Sequence, residues 1–551
     1  MRPPSPSRGS RPRRPNRPHV TAQPVTSRQL SQGLERFFLL LAPTYGPRGG
    51  HVAYKDRAKA PELLDDSATI VRRVISLGDP TLDVGGMLLR NLVWRVGQQA
   101  GDGGVLAAIL LRAIFRQALK LTQAGVNAMQ LARGIRAGQE VVLARLQELA
   151  RPVSSEDELS AVALHVTGDR ALAGVVGEMR WLLGPSGHVR LESYVAPYLE
   201  WEYIHGGHVP AQMASLHFHA DPVKRRTVLA GPRVAVVDGA LEQTADAVAL
   251  LEAGAKAGGG PLLILARRVG HQALGVLLHN AQAKDAPVQP VAVQVKALAG
   301  DLTQTLADLA TLSGATLLGA EQMRTAPHAR PTDLGRVQRA EVTQDALVLA
   351  PTREQRAVLE PQLAALRARL AQLQPESEEA TKLAQRLAGL SGGMGQLHLG
   401  AATRLEGELR RRKARRALRV TALALESGLV PGGGAALLHS RQALDSLELP
   451  DPDGQAGVRL LHQALAAPMI QLLSNACVPG PGLVLAKVAE AGPDMTFDLL
   501  QERLAPAWEA GVLDVAGVVE TAFTAGVSGG LMALTTDAIV YHRYPEESME
   551  P

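Results

Sequence analysis

The chain has 551 residues, 46% hydrophobic and 20% charged, with a formal net charge of +5. That length predicts two to four domains rather than one core, and the single cysteine, Cys477, excludes an internal disulfide framework and points to a reducing, cytoplasmic setting. Neither a secretory leader nor an uninterrupted apolar run of about 18 to 20 residues is evident, so no membrane partner is expected. Residues 1–23 open with six arginines (Arg2, Arg8, Arg11, Arg13, Arg14 and Arg17), six prolines and no acid, which predicts a disordered basic tail. Without those arginines the chain lies within about one charge of neutral, so a nucleic-acid partner is not expected. From 28 to 148 apolar residues recur at helical spacing in "RQLSQGLERFFLLL", "ATIVRRVISL", "MLLRNLVWRVGQQA", "VLAAILLRAIFRQALKL" and "AMQLARGIRAGQEVVLARLQELA". The first of these helices should stop at the cluster from Pro43 to Gly50. From about 185 the texture changes to short apolar runs bounded by glycine, proline and charge. "HVRLESYV", "RTVLAGPRVAVVDG", "PLLILARR" and "PVAVQVKAL" alternate with the helical stretches "ALEQTADAVALLEAGAKA" and "GHQALGVLLHNAQAK". This alternation predicts an α/β domain around a mostly buried sheet. Leu359, Leu363, Leu366, Leu370 and Leu373, then Leu383, Leu387 and Leu390 beyond Pro375, read as an antiparallel helical hairpin rather than a coiled-coil dimer. Helical texture returns to about 540, so the α/β middle looks inserted into a helical domain.

The stretch "AGDGGVLAAIL" (100–110) sets a Gly-Asp-Gly-Gly turn before an apolar helix. Such a turn suits a phosphate and its aspartate a magnesium ion, but no lysine, serine or threonine follows the glycines. Around it lie "TYGPRG" (44–49), "LLEAGAKAGGGPLLILA" (250–266), "LADLATLSGAT" (306–316) and "LHLGAATRLEGE" (397–408). Further on come "VPGGGAAL" (430–437), "AGVLD" (510–514) and "GLMALTTDAIV" (530–540). In order and spacing, over roughly residues 25–540, these strings resemble bacterial group I chaperonins of the GroEL type, as a divergent paralogue. The resemblance implies an α/β multidomain, chaperonin-like fold in three discontinuous domains. A helical equatorial domain would take 24–148 and 427–540, a small intermediate domain 149–199 and 394–426, and an α/β apical domain 200–393, with tails at 1–23 and 541–551. It also implies ATP and Mg2+ as cofactors and non-native polypeptides as clients. A homo-oligomeric ring, or a ring mixed with a conventional chaperonin, and a co-chaperonin lid would follow.

By the same resemblance, Thr44, Tyr45, Gly46, Pro47 and Gly433 would wrap the nucleotide. Asp102 would coordinate magnesium, Asp514 would take the ribose, and Asp498, Leu499 and Leu500 would lie beside the base. Two departures bear on turnover. After Asp102 and Gly103 the family's three threonines become Gly104, Val105 and Leu106, which removes hydroxyl bonds to phosphate of about 0.5–1.5 kcal/mol each. The family's catalytic aspartate falls on Arg416, inside "RRRKARRALR", and a guanidinium stays protonated and cannot act as a base. Asp66 keeps a second acidic position of the family, while the lysine before it is Asp65. General-base catalysis is worth about 10²- to 10⁴-fold, so hydrolysis is expected to be weak or lost. Two states of the pocket stay open: nucleotide bound with Arg416 as a counter-ion to the γ-phosphate, or an empty pocket.

Clients would meet apolar side chains on two apical helices, Val248 and Leu251 on the first and Leu274 and Leu278 on the second, with His279 replacing an apolar residue. In place of the family's aromatic loop stand His208, Gln212 and Met213. The alternative reading is a non-cycling binding or scaffold protein on the same fold. The histidines at 205, 208, 217 and 219 lack a metal-site frame, and the Gly-x-Ser-x-Gly strings at 389–393 and 526–530 lack a strand-to-helix elbow.

Overall fold

The computed structural model describes residues 19–55, 62–64, 66–185, 187–194, 199–204, 207–218, 227–283, 285–298, 301–319, 324–343, 346–370, 372–373, 377–391 and 394–541. Two units emerge, Met1–Glu178 with Lys413–Pro551 and, between them in sequence, Met179–Arg412.

The first unit is built of helices, as the 3.6-residue patterns predict: Val25–Leu41, Ser67–Arg73, Pro80–Ala100, Gly104–Gln123, Ala128–Leu149, Glu156–Thr167, Pro452–Ala464, Ala467–Asn475, Pro481–Ala491 and Ala516–Leu534. With aromatics at 3% of the chain, its cores are Leu, Val and Ala, and its helices approach through glycine. A Cβ on Gly33 would stand 2.0 Å from the Leu82 carbonyl oxygen, and one on Gly134 would stand 1.8 Å from that of Gly454. These contacts bring the Val25–Leu41 and Ala128–Leu149 backbones directly against Pro80–Ala100 and Pro452–Ala464. The same holds for "GVSGG" (526–530), which lies inside the Ala516–Leu534 helix. A Cβ on Gly526 would meet the Leu110 Cβ at 2.8 Å, so these glycines seat the Gly104–Gln123 helix. By length and composition Ala516–Leu534 is apolar enough to cross a membrane, more than the sequence reading allowed. Much of it is buried, with Phe523 and Val527 fully enclosed.

One residue-level expectation changes here. Residues 19–22, assigned to the disordered tail, form a strand that pairs antiparallel with Ala538–Tyr541, His19 opposite Tyr541. A second small sheet pairs Val52–Tyr54 with Glu62–Leu64. Pairing across more than 500 residues leaves no local signature in the chain.

In the second unit, an eight-stranded sheet runs in the order Leu317–Gly319, Arg233–Leu241, Gly260–Val269, Val288–Val295, Gly207–Met213, Ala346–Pro351, Gly335–Val342 and Thr227–Ala230. The first four strands are parallel, and Leu262 to Ala266 form an unbroken buried run, as a sheet covered on both faces requires. Helices Thr244–Lys256 and His271–Gln282 make the crossovers. A separate three-stranded sheet sets Met394–Gly400 between His188–Tyr194 and Leu199–Ile204. The leucine pattern gives helices Arg353–Leu370 and Glu378–Ser391, which pack together and bury Leu359, Leu363 and Leu390 in the core of this unit. Arg386 fixes the second helix by a two-pronged bond to Asp308 (2.8 and 2.7 Å).

Candidate functional site

The site belongs to the first unit and starts with a turn. Helix Pro80–Ala100 ends on Gly101 (φ +78°), and Gly103 (φ +87°) opens the helix Gly104–Gln123. Both glycines adopt the left-handed backbone that other residues resist, and Asp102 is held between them. Its Oδ1 accepts the Gly103 N–H at 2.7 Å. Its Oδ2 accepts Nη2 of Arg416 at 2.8 Å. The other end of the guanidinium, Nη1, lies 3.9 Å from Oδ1 of Asp66. Asp66 in turn caps the helix Ser67–Arg73, accepting the N–H groups of Ala68 and Thr69 (3.0 Å each) and the Thr69 hydroxyl. Arg416 therefore bridges two carboxylates.

The basic run around Arg416 has structural partners. Lys413 donates to the Thr167 carbonyl (2.9 Å), and Arg419 donates to the carbonyls of Gly97 and Gln98 at the end of the Pro80–Ala100 helix. A cation at a helix C-terminus meets the negative end of its dipole. Val105 packs half-buried against the core and Leu106 is buried within it. Side chains at these two positions therefore serve packing.

Opposite charges give way to backbone amides around Asp514. Leu429–Pro431 pairs with Leu513–Val515, Val430 opposite Asp514. The following turn puts Gly433 (φ +70°) and Gly434 (φ +80°) in the left-handed region, where their N–H groups favour the charged form of the Asp514 carboxylate. Thr496 donates to the Gly432 carbonyl at 2.8 Å and so ties the strand Met495–Asp498 to this turn. Asp498 is buried and accepts the N–H groups of Leu500 and Gln501 (2.8 and 3.1 Å). Leu499 points into the core, whereas Leu500 is 66% exposed.

The Thr44–Pro47 loop is pinned by Asn475, whose amide donates to the carbonyls of Ala42 and Tyr45, both at 2.8 Å. The Thr44 hydroxyl donates to Leu41 (2.8 Å), and Gly46 (φ +97°) fits against Leu472. Burial, with the charges of Asp514 and Asp102, pushes the Tyr45 hydroxyl well above its ordinary pKa.

The two acids respond in opposite directions. Burial pushes Asp102 up, but the Arg416 charge and the hydrogen bonds from Arg416 and Gly103 outweigh it, and its pKa is lowered. Burial pushes Asp514 up too, and neither His165 nor the Gly433 and Gly434 N–H groups offset this and the repulsion from Asp102, so its pKa is raised. The structure thus gathers Tyr45, Asp66, Asp102, Arg416, Gly433 and Asp514 into one charge network. Asp65 lies outside the described residues. Sequence reasoning missed Asn475, Thr496 and His165, which sit far along the chain in no motif.

In the second unit, the residues assigned to a client-binding loop lie on the strand Gly207–Met213. Period-two alternation decides their exposure: Gln212 is exposed, His208 is half-buried and Met213 packs in the core. Met213 is therefore a packing residue. On the two helices Val248 and His279 are exposed, and Leu251, Leu274 and Leu278 are half-buried against the core. Leu216, 63% exposed beside the His271–Gln282 helix, adds to this surface and carries no signal in the sequence. His205 and His219 lie outside the described residues, and among the described residues no group of three or more His, Cys, Asp or Glu converges.

Comparison with known proteins gives a family match and a structural one. The model of the TCP-1/cpn60 chaperonin family matches residues 39–179 and 285–543. Among solved structures, the chain is similar to the chaperonin gp146 from the bacteriophage EL 2 (Pseudomonas aeruginosa), crystallised in the presence of ATP-BeFx. Against crystal form I the TM-score is 0.71 at 19% identity, and against form II it is 0.69 at 18%. Each match covers 95% of this chain and 99% of the phage protein.

Proposed function

The chain belongs to the TCP-1/cpn60 chaperonin family, and from that premise we propose that it is a chaperone of non-native polypeptides with a nucleotide pocket that hydrolyses ATP weakly or not at all. The observation that carries this reading is the Arg416 bridge. The carboxylate that would activate water is replaced by a guanidinium bonded to Asp102, and Asp66, the other acid at hand, is spent on a helix cap. A permanent cation cannot take a proton from water. Adenine nucleotide would lie between the Thr44–Pro47 loop, Gly433, Asp498 to Leu500 and Asp514, with the Asp102 turn on its phosphate side. The magnesium expected at Asp102 is the one part of this reading that the donor set resists.

Clients would bind through Val248, Leu251, Leu274 and Leu278, with Leu216 and Gln212 beside them, because apolar attraction is non-directional and suits unfolded chains. The three-domain division is retained as part of the proposal, as are the cytoplasmic setting and the co-chaperonin lid. A ring of identical copies, or one mixed with a conventional chaperonin, is supported by two of the small sheets of the first unit, His19–Ala22 with Ala538–Tyr541 and Val52–Tyr54 with Glu62–Leu64. Among the described residues each has only two strands, so each offers outer edges to another chain, and Val20 and Val540 on one of them are exposed.

The test is aggregation of a denatured client protein, followed by light scattering with and without ATP. Suppression by the wild type, lost in Val248→Asp/Leu274→Asp, supports the reading. Suppression that ATP neither weakens nor strengthens moves the protein to the non-cycling holder or scaffold. No suppression under any condition contradicts the chaperone reading.

A further inference from the structure

A nucleotide's phosphates ordinarily reach a protein with a divalent ion held by one or two carboxylates. Here the oxygens of the candidate carboxylates are engaged by protein donors. Asp102 accepts Gly103 on one oxygen and Arg416 on the other. Asp66 accepts Ala68 on Oδ1, the oxygen nearer Arg416, and Thr69 twice on Oδ2. Asp514 feels the N–H groups of Gly433 and Gly434. A magnesium ion at Asp102 would have to displace a guanidinium and remain beside it, against like-charge repulsion. It also dehydrates reluctantly and demands near-octahedral oxygen geometry. The residues present do not fit it.

We propose that Arg416 is a built-in substitute for the divalent cation, so that the pocket takes adenine nucleotide as the metal-free polyphosphate anion. This rests on the nucleotide reading above. The guanidinium sits where a positive charge must stand if Asp102 and Asp66 are to share a site with phosphate. Covalent attachment makes that charge independent of solution. Arginine suits the role because its planar fork bonds carboxylate and phosphate oxygens alike and never deprotonates.

The test uses the full-length protein and two probes, ATP and Mn2+. ATP is titrated calorimetrically in EDTA and again in excess Mg2+, into wild type, Arg416→Ala and the charge-retaining Arg416→Lys. Mn2+ alone is titrated against the same proteins and followed by its paramagnetic resonance signal. Wild type should bind ATP with affinities within about threefold of each other in the two buffers, and Arg416→Lys should follow it. Arg416→Ala should lose about tenfold or more in EDTA, regain it with Mg2+, and bind Mn2+ where wild type does not. Wild-type affinity that rises about tenfold with Mg2+ overturns the substitution and leaves the nucleotide pocket standing. Absence of ATP binding in both buffers overturns the pocket and the substitution with it. Should Arg416→Ala fail to fold by circular dichroism, the paired wild-type titrations decide alone.

Discussion

Asp102 and Asp514 feel each other's charge, each beside left-handed glycines, yet their protonation equilibria move in opposite directions. Both are desolvated. Asp102 has a cation hydrogen-bonded at 2.8 Å, whereas Asp514 has amide N–H groups, the charge of His165 and a neighbouring negative charge. Backbone amides and the charge of His165 do not offset burial at Asp514; a guanidinium hydrogen-bonded to the carboxylate does so at Asp102. Asp102 is thereby locked in an internal ion pair, while Asp514 faces backbone N–H groups without a hydrogen-bonded counter-charge of that kind.

Substitutions can break or sharpen that contrast. The largest loss should come from Arg416→Met, which leaves half-buried Asp102 without its cation and should lower unfolding stability by about 3 kcal/mol, the lower end for breaking a buried pair, read by urea denaturation. Asp102→Asn removes the other partner and should cost about 2 kcal/mol, since hydrogen bonds to charged groups are worth about 1.5–3 kcal/mol. Gly433→Ala should cost about 1–2 kcal/mol, because it forces a side chain into the left-handed region, and its Cβ would stand 3.3 Å from the Thr496 hydroxyl. Asp514→Asn should be the mildest, within about 0.5 kcal/mol near neutral pH, as it keeps an acceptor oxygen and removes a charge that burial and Asp102 both disfavour.

The contrast also predicts opposite pH dependences. With its folded pKa lowered, Asp102 contributes stability that is present above the ordinary aspartate value of about 3.9 and is lost as pH falls below it. Raised in the folded state, Asp514 contributes stability that is present below that value and is lost as pH rises through its folded pKa. The stability gap between wild type and Asp102→Asn should therefore close on acidification. Wild type should lose stability relative to Asp514→Asn as pH rises. Parallel gaps would show that the two acids feel the same environment.

Much of this was legible in the chain because it is local. Helical periodicity placed the long helices of the first unit and the Gly-Asp-Gly-Gly string gave the turn at Asp102, while the family resemblance singled out Arg416, which the structure sets against Asp102. What escaped was long-range. Neither the partnership of residues 19–22 with 538–541 nor the grip of Asn475 on the Tyr45 loop has a motif. The residues of strand Gly207–Met213 were placed on a loop by the family resemblance alone. The strand's true face shows only when Ala346–Pro351 and Val288–Val295 pair on either side.

Single-turnover release of phosphate from ATP, for wild type and Arg416→Asp side by side with a conventional chaperonin, tests the central claim most directly. The cationic substitution predicts little or no release by wild type and a gain of about 10²-fold or more when the carboxylate is restored. Release by wild type at the rate of the conventional chaperonin would contradict it.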